Sequence, residues 1–118
     1  MADNEEELEK LLGEYQELQE QIKSFASLLD QLQNQKDEIA RAKEEISNAT
    51  GKIYISVGGV LVETTKDKAL SELSNNAEIT ELRINTTTKQ YNELKAREKQ
   101  LSDKITSLYK ASGAEAGA

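Results

Sequence analysis

The sequence predicts a mostly α-helical fold: a long antiparallel two-helix coiled coil with one β-hairpin at the bend, the hairpins of several copies assembling into an intersubunit β-barrel. Three observations carry this expectation. Two apolar ladders of equal span, Leu8 to Ile46 and Leu70 to Leu108, flank the middle of the chain. Between them lies a single β-branched stretch interrupted by Gly58-Gly59. The 118 residues include no proline, so nothing forces either helix to break.

Residues 1–47 read as the N-terminal helix. Alternating steps of three and four give Leu8, Leu11, Tyr15, Leu18, Ile22, Phe25, Leu29, Leu32, Lys36, Ile39, Lys43 and Ile46, of which ten of twelve are apolar or aromatic. A stripe of period 3.5 sustained this long marks a coiled-coil seam, because only supercoiling keeps it facing one partner. After Ile46 the run Ser47-Asn48-Ala49-Thr50-Gly51 supplies stop residues, with Asn48 or Gly51 able to close the helix in the left-handed conformation.

Residues 52–65 read as a β-hairpin, since a Gly-Gly loop suits the primed turns that match strand twist. With Val57 opposite Val60, one face carries Ile53, Ile55, Val57, Val60, Val62 and Thr64, and the other Tyr54, Ser56, Leu61 and Glu63. The first face is almost wholly apolar. A lone two-stranded hairpin is marginal in water and leaves open edges that recruit other strands. Burying its five aliphatic side chains contributes on the order of 10 kcal/mol before entropy is counted. The helices spend their stripes on each other, so cover is expected from other subunits, with closure into a barrel removing the edges. The alternative is a hairpin folded down on its own helix ends as a cap.

Residues 66–110 read as the returning helix, opened by Thr64-Thr65-Lys66-Asp67, where a Thr hydroxyl caps free amides and Asp67 meets the positive end of the dipole. Its ladder is Leu70, Leu73, Ala77, Thr80, Ile84, Thr87, Tyr91, Leu94, Glu98, Leu101, Ile105 and Leu108, with Thr80, Thr87 and Glu98 breaking the pattern. Ile79 and Leu82 lie off this frame, which suggests a local phase slip between residues 77 and 84. Polar seam positions otherwise specify register at some cost in stability. Each ladder covers 39 positions, a helix of about 57 Å. Antiparallel layers should pair residues whose numbers sum to about 116: Leu8 with Leu108, Phe25 with Tyr91, Leu32 with Ile84, Ile46 with Leu70, and Lys36 with Thr80. Residues 111–118 have nothing to bury and are expected to form a flexible tail.

Composition excludes several functions. With no Cys and no His, disulfides, thiolate zinc sites and the usual neutral-pH general base are absent, so no catalytic residue, metal site or cofactor is expected. Paired acids such as Glu5-Glu6-Glu7 and Glu44-Glu45 read as solvated helix faces. A net charge of -7 argues against a nucleic-acid partner, which is recognised through clustered Lys and Arg. No apolar run is long enough for a membrane span, and Met1-Ala2-Asp3-Asn4-Glu5-Glu6 is acidic where a signal peptide is basic and then apolar, so a cytoplasmic location is expected. Asn48-Ala49-Thr50 and Asn85-Thr86-Thr87 match glycosylation acceptors, a pattern with meaning only in a secreted protein.

A coiled-coil strand, the hairpin Ile53-Tyr54-Ile55-Ser56-Val57-Gly58-Gly59-Val60-Leu61-Val62, and Thr64-Thr65-Lys66-Asp67-Lys68-Ala69-Leu70 opening a returning helix resemble the β-type subunits of the prefoldin family. The archaeal β form and eukaryotic subunit 2 are both similar, and one hairpin, where α-type subunits have two, points to the β type. The resemblance covers residues 8–110 and is most specific over 52–73. It implies an ATP-independent chaperone subunit in a hexamer of two alpha and four beta subunits. There Ile53, Ile55, Val57, Gly58, Gly59, Val60 and Val62 would join the oligomerisation barrel, and the coiled-coil tips would hold non-native proteins for transfer to a group II chaperonin. Helix ends fray readily, so Leu8, Leu11, Leu12, Tyr15, Ile105, Leu108 and Tyr109 are the expected client-binding residues. For Leu11 and Ile105, completing the seam is an equally good reading. The competing function is a structural or scaffolding coiled coil without client binding.

Overall fold

The computed structural model describes residues 2–111, in the order α1 (Ala2–Asn48), β1 (Ile53–Val57), β2 (Val60–Thr64) and α2 (Lys66–Ala111). Ala111, expected in the tail, closes α2; residues 112–118 lie outside the described residues. Ile22, Ile39 and Ile46 are the only β-branched residues of α1, which is otherwise rich in Leu, Glu, Gln, Lys and Ala, all strong helix formers. The chain packs as two compact units, one taking α1 up to Leu28 with α2 from Thr87 onward, the other taking Leu29–Thr86.

In the first unit Leu11, Leu18 and Ile22 of α1 and Thr87 of α2 are buried. Leu8, Tyr15, Phe25, Tyr91, Leu94, Leu101, Ile105 and Leu108 are half-buried along the same stripe. The antiparallel pairing shows in an open groove: Glu14, Glu17 and Gln21 line one bank, Arg97, Gln100 and Lys104 the other, with Leu18 and Leu101 between them. Each aliphatic side chain withdrawn from water in such a seam contributes about 1.5–3 kcal/mol.

In the second unit Leu32, Ala69 and Thr80 are buried, with Ile39, Ile46, Leu70, Leu73, Ala77 and Ile84 half-buried. Lys36 does not enter the seam. Its Nζ lies 2.9 Å from Glu81 Oε2 at the surface, where both side chains remain 47% exposed and the pair is correspondingly weak. The hairpin pairs Ile53 with Thr64, Tyr54 with Glu63, Ile55 with Val62, Ser56 with Leu61 and Val57 with Val60. Gly58 at φ 55° and Gly59 at φ 82° supply the two left-handed positions of a type I′ turn. Hairpin partners and the Lys36–Glu81 pair alike sum to 117, one more than the register expected from the ladders.

Two expectations are corrected here. Thr80 and Thr87 do not break the seam: both are only 6% exposed and hold the frame with Ala77 and Ile84 on either side. Threonine presents a methyl group to the seam, and among the described residues no buried side-chain polar atom lacks a partner. The phase slip is therefore absent, and Ile79 and Leu82 stand exposed on the outside of α2.

The helix ends are also only partly as expected. Thr65 caps α2, its Oγ1 accepting from Lys68 N–H at 3.2 Å and its carbonyl from Ala69 N–H at 2.9 Å. Neither Asn48 nor Gly51 is left-handed; only Gly58 and Gly59 are, among the described residues. Instead α1 closes through Ala49 N–H on the Ile46 carbonyl at 3.1 Å. Its last turn carries no basic residue, but Lys66, from the start of α2, donates through Nζ to the Ser47 carbonyl at 2.8 Å. A cation there meets both an orphan carbonyl and the negative end of the helix dipole.

Candidate interaction surfaces

The first surface is the hairpin. Ile53, Ile55 and Thr64, at the end of the ribbon that meets the helices, are half-buried. Toward the turn Val57, Val60 and Val62 are exposed, Val60 by 62%. About half of the apolar face is thus partly withdrawn from solvent, and the half around Gly58 and Gly59 stays open. The opposite face is less polar than the alternation implies: Leu61 is 71% exposed and Tyr54 also stands in solvent, beside a long Lys52–Glu63 contact of 4.0 Å. In a two-residue hairpin the pairs at 57/60, 55/62 and 53/64 exchange hydrogen bonds, so the N–H groups of Tyr54, Ser56, Leu61 and Glu63 point outward along the two edges. The ribbon therefore offers both apolar surface and unpaired backbone.

The second surface lies at the helix ends of the first unit. Leu11, 5% exposed, belongs to the seam, and Leu8, Tyr15, Ile105 and Leu108 are half-buried beside it. Leu12, 45% exposed, and Tyr109, 53% exposed, lie one residue off the frame and leave the seam's cover. Elsewhere in this unit, on α2, Lys95 donates through Nζ to Glu98 Oε1 at 3.1 Å, and that carboxylate holds the ammonium above its ordinary pKa. The pair spans one turn of helix and braces the half-buried Glu98 at its seam position. Leu28 on α1, with Ile79 and Leu82 on α2, are further exposed apolar side chains that the ladders did not single out for function. Among the described residues no three His, Cys, Asp or Glu side chains converge on a metal site, and no helix is long and apolar enough to cross a membrane.

Two helices sharing apolar stripes and joined by a ribbon with open edges place the chain in the coiled-coil hairpin class. The family model for the prefoldin subunit matches residues 9–112. The chain belongs to the prefoldin family, a family of chaperone subunits, and its similarity runs to the beta type. It is 34% identical over 107 residues to the prefoldin subunit beta of Pyrobaculum neutrophilum, covering 89% of this chain and 85% of that one. With the prefoldin subunit beta of Pyrococcus abyssi it shares 31% over 101 residues, covering 84% and 86%. The crystal structure of the prefoldin beta subunit from Thermococcus strain KS-1 superposes with a TM-score of 0.79 at 30% identity, over 86% of this chain and 90% of that one.

Proposed function

We propose that this chain is a cytoplasmic, ATP-independent holdase subunit. Through Ile53, Ile55, Val57, Gly58, Gly59, Val60 and Val62 it joins an intersubunit β-barrel with other beta subunits and two alpha-type partners, in a hexamer with four beta subunits. It holds non-native proteins at its helix ends and passes them to a group II chaperonin. No nucleotide or metal cofactor takes part in this scheme.

The observation that carries the holding role is the exposure of Leu12 and Tyr109 beside a seam that is already filled. Leu8, Tyr15, Ile105 and Leu108, half-buried at the same helix ends, join them when the last turns fray, while Leu11 anchors the seam beneath. A few apolar groups on one subunit bind weakly, but several subunits acting together bind tightly through effective concentration.

Deletion of residues 1–15 and 105–118 tests the reading. The shortened chain should still assemble with its partner subunits yet no longer suppress aggregation of a denatured model protein. Undiminished suppression would show that clients are held elsewhere than at the helix ends, whereas a purely scaffolding coiled coil would suppress aggregation neither before nor after the deletion.

A further inference from the structure

We propose that the helix ends of the first unit select non-native segments in which apolar residues are interleaved with lysine or arginine. The inference rests on the client-holding reading above and narrows it to one chemical class of client.

The docking surface is apolar and lies to one side of the seam. Leu12 follows the seam residue Leu11, and Tyr109 follows Leu108, so both occupy the same flanking heptad position, and in an antiparallel coil such positions lie across from each other. Both are about half exposed.

The charge around this patch is one-sided. From Ala2 to Leu28, α1 carries eight carboxylates against two lysines, whereas α2 from Thr87 to Ala111 carries six cations against three carboxylates. Five of the eight, Asp3, Glu5, Glu6, Glu7 and Glu9, precede Leu12 directly. The helix dipole accounts for Asp3 and Glu5 in the first turn and fades beyond it. Glu6, Glu7 and Glu9 have no such role, and like charges one turn apart, as in Glu5 and Glu9, weaken the helix. None of the five takes part in an ion pair within the described residues, all of which involve other side chains. An apolar patch bordered by uncompensated carboxylates is complementary to a chain that alternates apolar and cationic side chains, and repels one that alternates apolar and acidic ones.

The test uses the full-length chain assembled with its partner subunits and two dye-labelled unstructured peptides. The peptides have the same apolar residues, with lysines in one exchanged for glutamates in the other. Binding is read by fluorescence anisotropy in about 0.02 M and about 0.5 M salt, between which the Debye length falls from roughly 20 Å to roughly 4 Å. At low salt the lysine peptide should bind about tenfold more tightly, and the two should converge at high salt. The E6Q/E7Q/E9Q variant should lose most of that preference, and E38Q/E44Q/E45Q, which removes as much charge from the second unit, should keep it. Equal binding of the two peptides at low salt overturns the proposal, as does loss of the preference in both variants, which would mark it as an effect of net charge alone. The L12S/Y109S variant separates the two readings. If it binds neither peptide while the native assembly binds both equally, clients are held at the helix ends without charge selection; if it binds both peptides as well as the native assembly does, the holding reading itself fails.

Discussion

Substituting aspartate for Val60 should separate the stability of the chain from the stability of its assembly. Val57, Val60 and Val62 are exposed by 56%, 62% and 46%, so within the isolated chain Val60→Asp removes little buried surface. The cost there is confined to strand propensity, about 1 kcal/mol or less. Once other subunits cover the ribbon the balance reverses. The three exposed fractions together equal a little over one and a half valine side chains, which is worth about 2–5 kcal/mol per hairpin on burial. An unpaired carboxylate in that interface adds a further penalty of about 3–5 kcal/mol. A loss of only 4 kcal/mol per subunit weakens assembly by nearly a thousandfold. Light scattering coupled to size exclusion should therefore find the variant dissociated at concentrations where the parent is oligomeric, with circular dichroism reporting full helicity. An unchanged oligomer mass would refute the reasoning, because it would mean that the valine face is not the interface.

Three further outcomes follow from individual positions. Gly13 sits inside α1 with open space where a Cβ would project, so Gly13→Ala should stabilise the chain by about 0.5–1 kcal/mol in denaturant melts. Thr80→Val and Thr87→Val replace a buried hydroxyl with a methyl group of similar shape, and each should raise the melting temperature, by about 1 kcal/mol of stability. Glu98→Gln should return the Lys95 ammonium to its ordinary pKa near 10.5 in an NMR titration, since the hydrogen bond from Lys95 to that carboxylate is the largest cause of its elevation. Because the Lys95 pKa is raised in the folded chain, the pair contributes throughout the range below the unfolded value and is lost only as pH climbs through the folded one, so neutral-pH melts should show no pH dependence from it.

Much of this fold is legible in the sequence, and the misses have physical causes. The Gly-Gly turn and the strand register follow from local chemistry, because two left-handed residues between β-branched runs leave few other options. The Thr65 cap is local too. Thr80 and Thr87 count as polar in a ladder of apolar residues, yet each carries a methyl group that suits the seam. With both threonines kept in a continuous frame, Ile79 and Leu82 fall outside it, in keeping with their exposure. The closure of α1 is not local. Lys66 reaches Ser47 only after the chain has turned back, so the contact belongs to tertiary structure and no reading of residues 47–51 alone reveals it. At the candidate surfaces, spacing separates Leu12 and Tyr109 from the seam, but alternation alone does not distinguish the half-buried Ile53 and Ile55 from the exposed Val57, Val60 and Val62 on the same face.

Hydrogen exchange at the ribbon edges is the most direct probe of whether other subunits complete this hairpin. The amides of Tyr54, Ser56, Leu61 and Glu63 face away from the intrachain ladder, so only a strand from another chain can protect them through the sheet. Measured across a dilution series, they should exchange slowly where the chain is assembled and at the rate of free peptide where it is monomeric. Fast exchange in the intact oligomer, or slow exchange in a proven monomer, would contradict the account.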